Sequence, residues 1–510
     1  MFTQPGVDHI TLATIPDTDS IPNVITKDIV IIGTGFAGMG MAIKLKESGR
    51  DDFVVLEKAH DVGGTWRDNT YPGCECDIPS HMYSFSHELN NDWSKSFSGQ
   101  PEIWAYMRKV ADKHDLRKMI DFGVEVEGAS WDEAAKRWTI HTNGLTYVAR
   151  VLVAGVGGLH IPNIPEVTGT DTFDGPMFHS ARWDHNVDLK DKKVVVIGTG
   201  ASAIQFIPII AQEVGELTVF QRTPAWVLPK KDKPTSSLKK TAFSNVPGAM
   251  RAYRNALYWG LESRAIAFNG HLNVLPFAEK IVTRYLKKAI PDEELRAKLT
   301  PDYRLGCKRV LQSNTYYPTF LRDNVDLNTD GVAEIVSDGV IDKNGVKHEA
   351  DVIIWGTGFH VIDAFDYLSI KGREGRDLAT QFKEGGVETY LGMTIHGFPN
   401  LYFMLGPNTA LGHNSVVFMI EQQTKYIIRM LDEMQLRGAA AAEATLEAQT
   451  EFNVEVQKRV SKGIWTTGGC TSWYLDSHGK NRTIWPKFTF QYWWETRKVN
   501  APDFTWEKAA

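Results

Sequence analysis

Two ten-residue stretches restrict what this chain can fold into more than any other feature: IVIIGTGFAG at 29–38 and VVVIGTGASA at 194–203. Each is an apolar run that ends in a glycine turn and continues into helical patterning. Such a run predicts a strand, a tight loop and a helix whose first backbone N–H groups are aimed at a pyrophosphate. The first unit closes as DIVIIGTGFAGMGMAIKLKESGRDDFVVLEK and the second as KKVVVIGTGASAIQFIPIIAQEVGELTVFQR, so both read strand, helix, strand. Two such units predict an α/β fold with two Rossmann-like, doubly wound dinucleotide-binding domains. Gly33, Gly35 and Gly38 form the first cradle; Gly198, Gly200, Ser202 and Ala203 form the second, alanine being permitted at the third fingerprint position.

Aligned on their first glycines, the units differ at the end of the second strand. Residue 24 beyond that glycine is Glu57 in the first unit and Arg222 in the second. A carboxylate there accepts hydrogen bonds from ribose hydroxyls and repels a 2′-phosphate, whereas a guanidinium pairs with that phosphate and Thr223 adds a hydroxyl. The first cradle is expected to hold a dinucleotide without the extra phosphate, FAD, and the second to prefer NADPH to NADH.

The chain has 510 residues, a net charge of −6 and four cysteines. That length predicts two or three domains, and the charge gives no reason to propose nucleic acid as a partner. No secretory signal or 18-residue apolar run is visible, so no integral membrane segment is expected and a bacterial-type cytoplasmic location is the default. The cysteines are too few and too scattered for a disulfide framework or a four-cysteine zinc site, and no metal is expected. Cys74-Glu75-Cys76 reads either as a redox pair or, preferably, as two small, partly buried thiols.

Two further strand ends, RVLVAGVGG at 150–158 and DVIIWGTGFH at 351–360, bracket the second unit. They imply a discontinuous flavin domain, 27–150 and 360–510, with an NADP-binding domain at 151–359 inserted between and a polar tail at 1–26. The lysine-rich stretch 231–304 reads as a helical insertion, GAAAAEA at 438–444 as helix, and TIWPKFTFQYWW at 483–494 as a packed strand.

A flavin reduced by NADPH needs an oxidant. No Cys-x-x-Cys or Cys-x-x-x-x-Cys pair occurs to accept the electrons, which leaves oxygen. Between the cradles FDGPMFHSARW sets Phe173, Gly175, His179 and Trp183 in the spacing F-x-G-x-x-x-H-x-x-x-W. This resembles the fingerprint of the type I Baeyer-Villiger monooxygenases and, with another last residue, of the related flavin-containing monooxygenases. The resemblance runs from about residue 28 to 490. GGTWRDNTYPGCECD at 63–77, with Gly64, Thr65 and Trp66, is similar to the segment beside the flavin that ends on an active-site aspartate, here Asp77. GCKRVLQSNTYYPTFLRDNV at 306–325 resembles the segment with the family's Lys-Arg pair, Lys308 and Arg309. CTSWYLDSHGKNR at 470–482 resembles the late segment whose Trp473 contacts the nicotinamide cofactor.

The resemblance implies that NADPH and oxygen convert ketones to esters or lactones through a C4a-peroxyflavin. Arg309 would stabilise the peroxide anion and the tetrahedral adduct, Asp77 would hold that guanidinium, and Lys308 would add a contact to the 2′-phosphate. The plainer readings are an interdomain ion pair for Arg309 and core packing for Trp473. For His179 the preferred reading is a hinge histidine bonded to backbone, the resemblance implying a role in coupling domain movement to flavin chemistry. Asp184 stands where many relatives have proline, and Gly356-Thr357-Gly358 replaces the usual Ala-Thr-Gly. The alternatives are a flavin-containing monooxygenase acting on soft nitrogen or sulfur, and a non-catalytic NADPH-sensing flavoprotein.

Overall fold

The computed structural model describes residues 24–508 apart from 270–274, 362 and 477. Most of the 1–26 tail therefore lies outside the described residues. Strand β1 (Val24–Ile32), helix α1 (Phe36–Glu47) and strand β2 (Phe53–Glu57) form the first unit, with β1 and β2 parallel and Ile32 opposite Leu56. Every residue of β2 is buried, as is the second half of β1, which explains why both read as continuous apolar runs rather than alternating ones.

These strands belong to an eight-stranded mixed sheet. Its order is Ser369–Lys371, β4 (Val126–Asp132), β5 (Arg137–Thr142), β6 (Thr146–Ala154), β1, β2, β3 (Ile120–Phe122), and the strand Leu401–Phe403 pairs with β6. A second, all-parallel sheet of five strands runs Val325–Asn328, β9 (Glu216–Phe220), β8 (Lys193–Ile197), Val352–Trp355, β7 (Met177–His179). The first sheet thus takes strands from 24–154 and 369–403, and the second from 177–355. Separate apolar cores pack on the faces of each. The fold is α/β with two Rossmann-like sheets.

Between β9 and Val325–Asn328 the chain forms helices α5 (Ser237–Asn245), α6 (Ala249–Glu262) and α7 (Ala265–Phe268), then Leu275–Ala289 and Glu293–Lys298. Among the described residues no helix is long and apolar enough to cross a membrane.

Three expectations are corrected. Ala439–Ala444, within the GAAAAEA stretch, is a strand paired antiparallel with Phe504–Lys508; its small side chains are nearly all buried, and tertiary pairing overrides the helical preference of alanine. The aromatic C-terminal stretch is the helix Thr489–Thr496 rather than a strand, burying Thr489, Tyr492 and Thr496 on one side and exposing Trp493 and Trp494. The cysteines were too scattered in sequence to suggest a bridge, yet Cys307 and Cys470 form a disulfide with Cα atoms 6.1 Å apart. Folding supplies that proximity: the Arg304 N–H donates to the Gly468 carbonyl at 3.0 Å.

Candidate active site

The first cradle is built by backbone that tolerates no side chain at Gly33 or Gly38. Gly33 has φ +91°, and a Cβ on Gly38 would lie 1.8 Å from the Gly33 carbonyl oxygen, so the helix can start this close to the strand only with glycine there. A Cβ on Gly35 would meet nothing within 4 Å, which leaves open space where the loop faces outward. Segment 63–66 docks on the same loop: the Gly63 N–H donates to Thr34 O at 3.0 Å, and the Gly64 backbone approaches Gly35. The Trp66 indole donates to the Tyr83 hydroxyl at 3.1 Å.

Glu57, 4 % exposed at the end of β2, already has several partners. Its Oε2 accepts from the Thr34 N–H at 3.0 Å and the Thr34 hydroxyl at 2.6 Å, while Arg67 lies 3.0 Å from Oε1. The carboxylate is therefore held rigidly beside the glycine loop.

The second cradle repeats the plan. Gly198 has φ +108°, and a Cβ there would meet Gly356 O at 2.4 Å, whereas one on Gly200 would stand off from the same oxygen at 3.7 Å. Ser202 precedes helix α4 (Ala203–Ile210), its hydroxyl 3.0 Å from that of Ser180, and Ala203 is fully buried. At the ribose end Arg222 is exposed, with Thr223 half-buried beside it. The Lys308 ammonium lies 5.1 Å from the centre of the Tyr303 ring. Burial pulls that ammonium below its ordinary value, and the like charge of Arg222 adds to the effect. Neither head has a carboxylate in salt-bridge range among the described residues. Two cations brought together, with Asp302 acting on Lys308 only from beyond salt-bridge range, fit a phosphate dianion.

The fingerprint segment packs against this second unit. A Cβ on Gly175 would lie 2.3 Å from Asp351 O and 2.8 Å from the Phe173 ring. His179 ends β7 opposite Trp355 and is 2 % exposed; its Nδ1 accepts from the Ala181 N–H at 3.1 Å, and burial pushes its pKa down to about 4. The Trp183 ring lies 5.2 Å from Phe206 on α4.

Asp77 and Arg309, 232 residues apart, meet in a two-point ion pair, Arg309 Nε donating to Oδ2 at 2.8 Å and Nη2 to Oδ1 at 2.7 Å. The carboxylate raises the already high pKa of Arg309 further, so the guanidinium is a permanent charge. The Tyr474 hydroxyl is pushed up to about 12 by burial, with Arg309 pulling the other way. Trp473 is 42 % exposed, its ring tilted against that of its neighbour Tyr474 with centroids 4.5 Å apart. The Cys307–Cys470 disulfide ties the Lys308–Arg309 segment to the Trp473 segment.

Several contributors were not singled out from the sequence. Gln205 on α4 accepts from the Tyr71 hydroxyl at 2.9 Å and donates to Glu75 O at 3.0 Å, joining the second cradle's helix to the segment that ends on Asp77. Lys230, 7 % exposed, reaches Glu75 at 2.6 Å and Cys76 O at 3.2 Å. Cys74 and Cys76 are free, buried thiols raised by desolvation, Cys74 to about 12. Gln205 follows the second glycine loop at close range and was the one contributor with a local signal; the others depend on contacts distant in sequence.

Two strand, glycine-loop, helix units together with an arginine fixed by Asp77 define the class: a flavin- and nicotinamide-dependent oxidoreductase. Residues 30–256 match the model of the pyridine nucleotide-disulphide oxidoreductase family. A Baeyer-Villiger monooxygenase of Streptomyces coelicolor is 46% identical over 93% of this chain and 92% of its own length. One from Pseudomonas aeruginosa is 44% identical over 93% and 90%. Among solved structures, OTEMO in complex with FAD and NADP superposes with a TM-score of 0.85 at 28% identity, covering 94% of this chain and 99% of that one. Cyclohexanone monooxygenase from Rhodococcus sp. Phi1 bound to NADP+ gives 0.84 at 28%, covering 95% and 100%. The chain belongs to the Baeyer-Villiger monooxygenase family.

Proposed function

We propose that this chain binds FAD and NADPH and uses oxygen to convert ketones to esters or lactones. The two-point Asp77–Arg309 pair carries the reading. The bound cofactors supply hydride transfer and oxygen activation. The protein contributes a guanidinium whose position and charge are set before the reaction, where negative charge develops on oxygen as a ketone carbonyl becomes tetrahedral. Oxygenation of a soft nitrogen or sulfur has less need of such a cation.

The residue roles follow from the same reading. Gly33, Gly35, Gly38 and Glu57, with Gly64, Thr65 and Trp66, hold FAD. Gly198, Gly200, Ser202 and Ala203 take the NADPH pyrophosphate, Arg222, Thr223 and Lys308 its 2′-phosphate, and Trp473 its nicotinamide end. Phe173, Gly175, His179 and Trp183 hold the fingerprint segment against the nicotinamide-binding unit. The division proposed is 27–150 with 360–510 for the flavin domain and 151–359 for the NADP domain. Nucleic acid is not a partner in this reading, and the setting is the cytoplasm, where NADPH is regenerated.

Product analysis by mass spectrometry under ¹⁸O₂ tests it, using the yellow holoenzyme, NADPH and a panel of ketones. An ester or lactone with one labelled oxygen is expected. Steady NADPH consumption that yields only hydrogen peroxide from every ketone would overturn the ketone assignment; a single reduction without turnover would mark a sensor.

A further inference from the structure

Asp77 and Arg309 both stand on irregular backbone, outside any strand or helix. An ion pair between two such segments fixes the partners to each other but not to the rest of the site. A further contact must set where the pair stands.

Lys230 reaches both segments. On the Asp77 side its ammonium lies 2.6 Å from Glu75 Oε1 and donates to Cys76 O at 3.2 Å, with the Phe97 ring centred 4.9 Å away. The two residues directly before Asp77 are thereby held, one by its side chain and the other by its carbonyl. On the Arg309 side the Lys230 N–H donates to Asn314 Oδ1 at 2.9 Å, and Asn314 Nδ2 returns a bond to Lys230 O at 2.8 Å. Just before Lys230, the short strand Val227–Leu228 pairs in parallel with Leu311–Gln312, which follows closely on Arg309. Backbone and side chain of one lysine thus grip the two peptides that carry the pair.

Glu75 does not swing with that lysine. Its Oε2 is 2.6 Å from Lys95, and Gln205 on α4 donates to Glu75 O at 3.0 Å while accepting from the Glu75 N–H at 3.3 Å. The Lys230 side chain is 5 % exposed. An apolar side chain would fill the same space with less desolvation cost, but it would give the Cys76 carbonyl no donor.

We propose that Lys230 is a positioning residue for the ketone reaction: it sets the Asp77 turn in register with the Arg309 loop and so fixes where the guanidinium stands. The inference rests on the ketone reading above. A misplacement of about 1 Å in such a site costs about 100-fold in rate, so a brace acting only through its neighbours is enough to control turnover.

The test compares Lys230→Met and Lys230→Arg with the parent holoenzyme. Hydrogen exchange read by mass spectrometry with NADP+ bound reports the brace without turnover. Lys230→Met should speed exchange in peptides covering 74–78 and 306–314 and leave 24–57 at the parent rate, and Lys230→Arg should restore part of the protection. Under turnover Lys230→Met should lower kcat for ester formation about 10- to 100-fold, with peroxide in its place, while flavin reduction by NADPH and KM for the ketone stay near parent values. Because Lys230 acts through Arg309, Lys230→Met should cost little further in a protein that already carries Arg309→Ala. Glu75→Gln, which keeps the shape and weakens the grip, should give the same pattern in milder form and serves where Lys230→Met does not fold. Unchanged exchange in both peptides, an equal rise throughout the chain, or full additivity with Arg309→Ala would overturn the proposal. A local rise in exchange with no ester from any ketone in the parent protein would refute the ketone reaction while leaving Lys230 as the brace of the pair.

Discussion

Arg309 and Asp77 share two hydrogen bonds, at 2.8 and 2.7 Å, across 232 residues of sequence. That geometry fixes the guanidinium plane as well as its distance, which a lysine could not reproduce. One partner comes from the segment docked on the first cradle and the other from the loop just before the short strand Leu311–Gln312. The pair is thus a joint between two parts of the chain as well as a charge in a cleft.

Removing the guanidinium should uncouple the enzyme. Arg309→Ala is expected to lower kcat/KM for ketone oxygenation about 10²- to 10³-fold, the cost of losing one prepositioned electrostatic group. NADPH oxidation should continue, with hydrogen peroxide replacing the ester. Asp77→Ala keeps the charge but frees the side chain, so a smaller loss is expected. Parallel assays of NADPH, peroxide and product separate the two, and ketone oxygenation by Arg309→Ala at the parent rate would contradict the assignment.

Coenzyme choice tests the ribose end of the second cradle. Arg222 and Lys308 repel each other in the absence of an anion, so a 2′-phosphate gains from both. Arg222→Ala should raise KM for NADPH about 10- to 100-fold and leave that for NADH nearly unchanged. An unaltered NADPH preference in this variant would show that residue 24 beyond the first glycine does not read the phosphate.

The glycine loops and the sign of the charge after each second strand were legible because they depend on residues close in sequence. A loop that must touch a strand, as Gly38 touches Gly33, allows one residue type and so leaves a mark. The Ala439–Ala444 strand left none: alanine favours helix in isolation, and only its partner Phe504–Lys508 makes it extended. The helix Thr489–Thr496 was obscured by aromatic residues that suit strands. Asp77 and Arg309, and their pairing, were identifiable by resemblance, but the two-point geometry depends on contacts across 232 residues.

Acid should destabilise the protein through two buried histidines. Burial pushes His179 and His81 down to about 4, from an ordinary value near 6.5, so the unfolded chain takes up protons that the folded one refuses. Their contribution is fully present above about pH 6.5 and is lost as pH falls through about 4, on the order of 2–3 kcal/mol for His179. In His179→Asn, the amide oxygen can still accept from the Ala181 N–H. Urea unfolding at pH 7.5 and 5 should show a smaller drop for that variant than for the parent; an identical drop would remove His179 from the account.

The disulfide makes a prediction that the cysteine count alone would not have suggested. Cys307 and Cys470 are 163 residues apart, and closing so long a loop in the unfolded chain should stabilise the fold on the order of 2–5 kcal/mol. It also ties the Trp473 segment to the loop bearing Lys308 and Arg309, so its loss should loosen the end of the site proposed to hold the nicotinamide cofactor. Cys307→Ser is expected to lower the melting temperature and to raise KM for NADPH, with a much smaller effect on flavin content. Peptide mapping without reductant provides the direct check. Recovery of a 307–470 cross-linked peptide is expected, and rapid alkylation of both thiols in the native, untreated protein would show that the bond does not form.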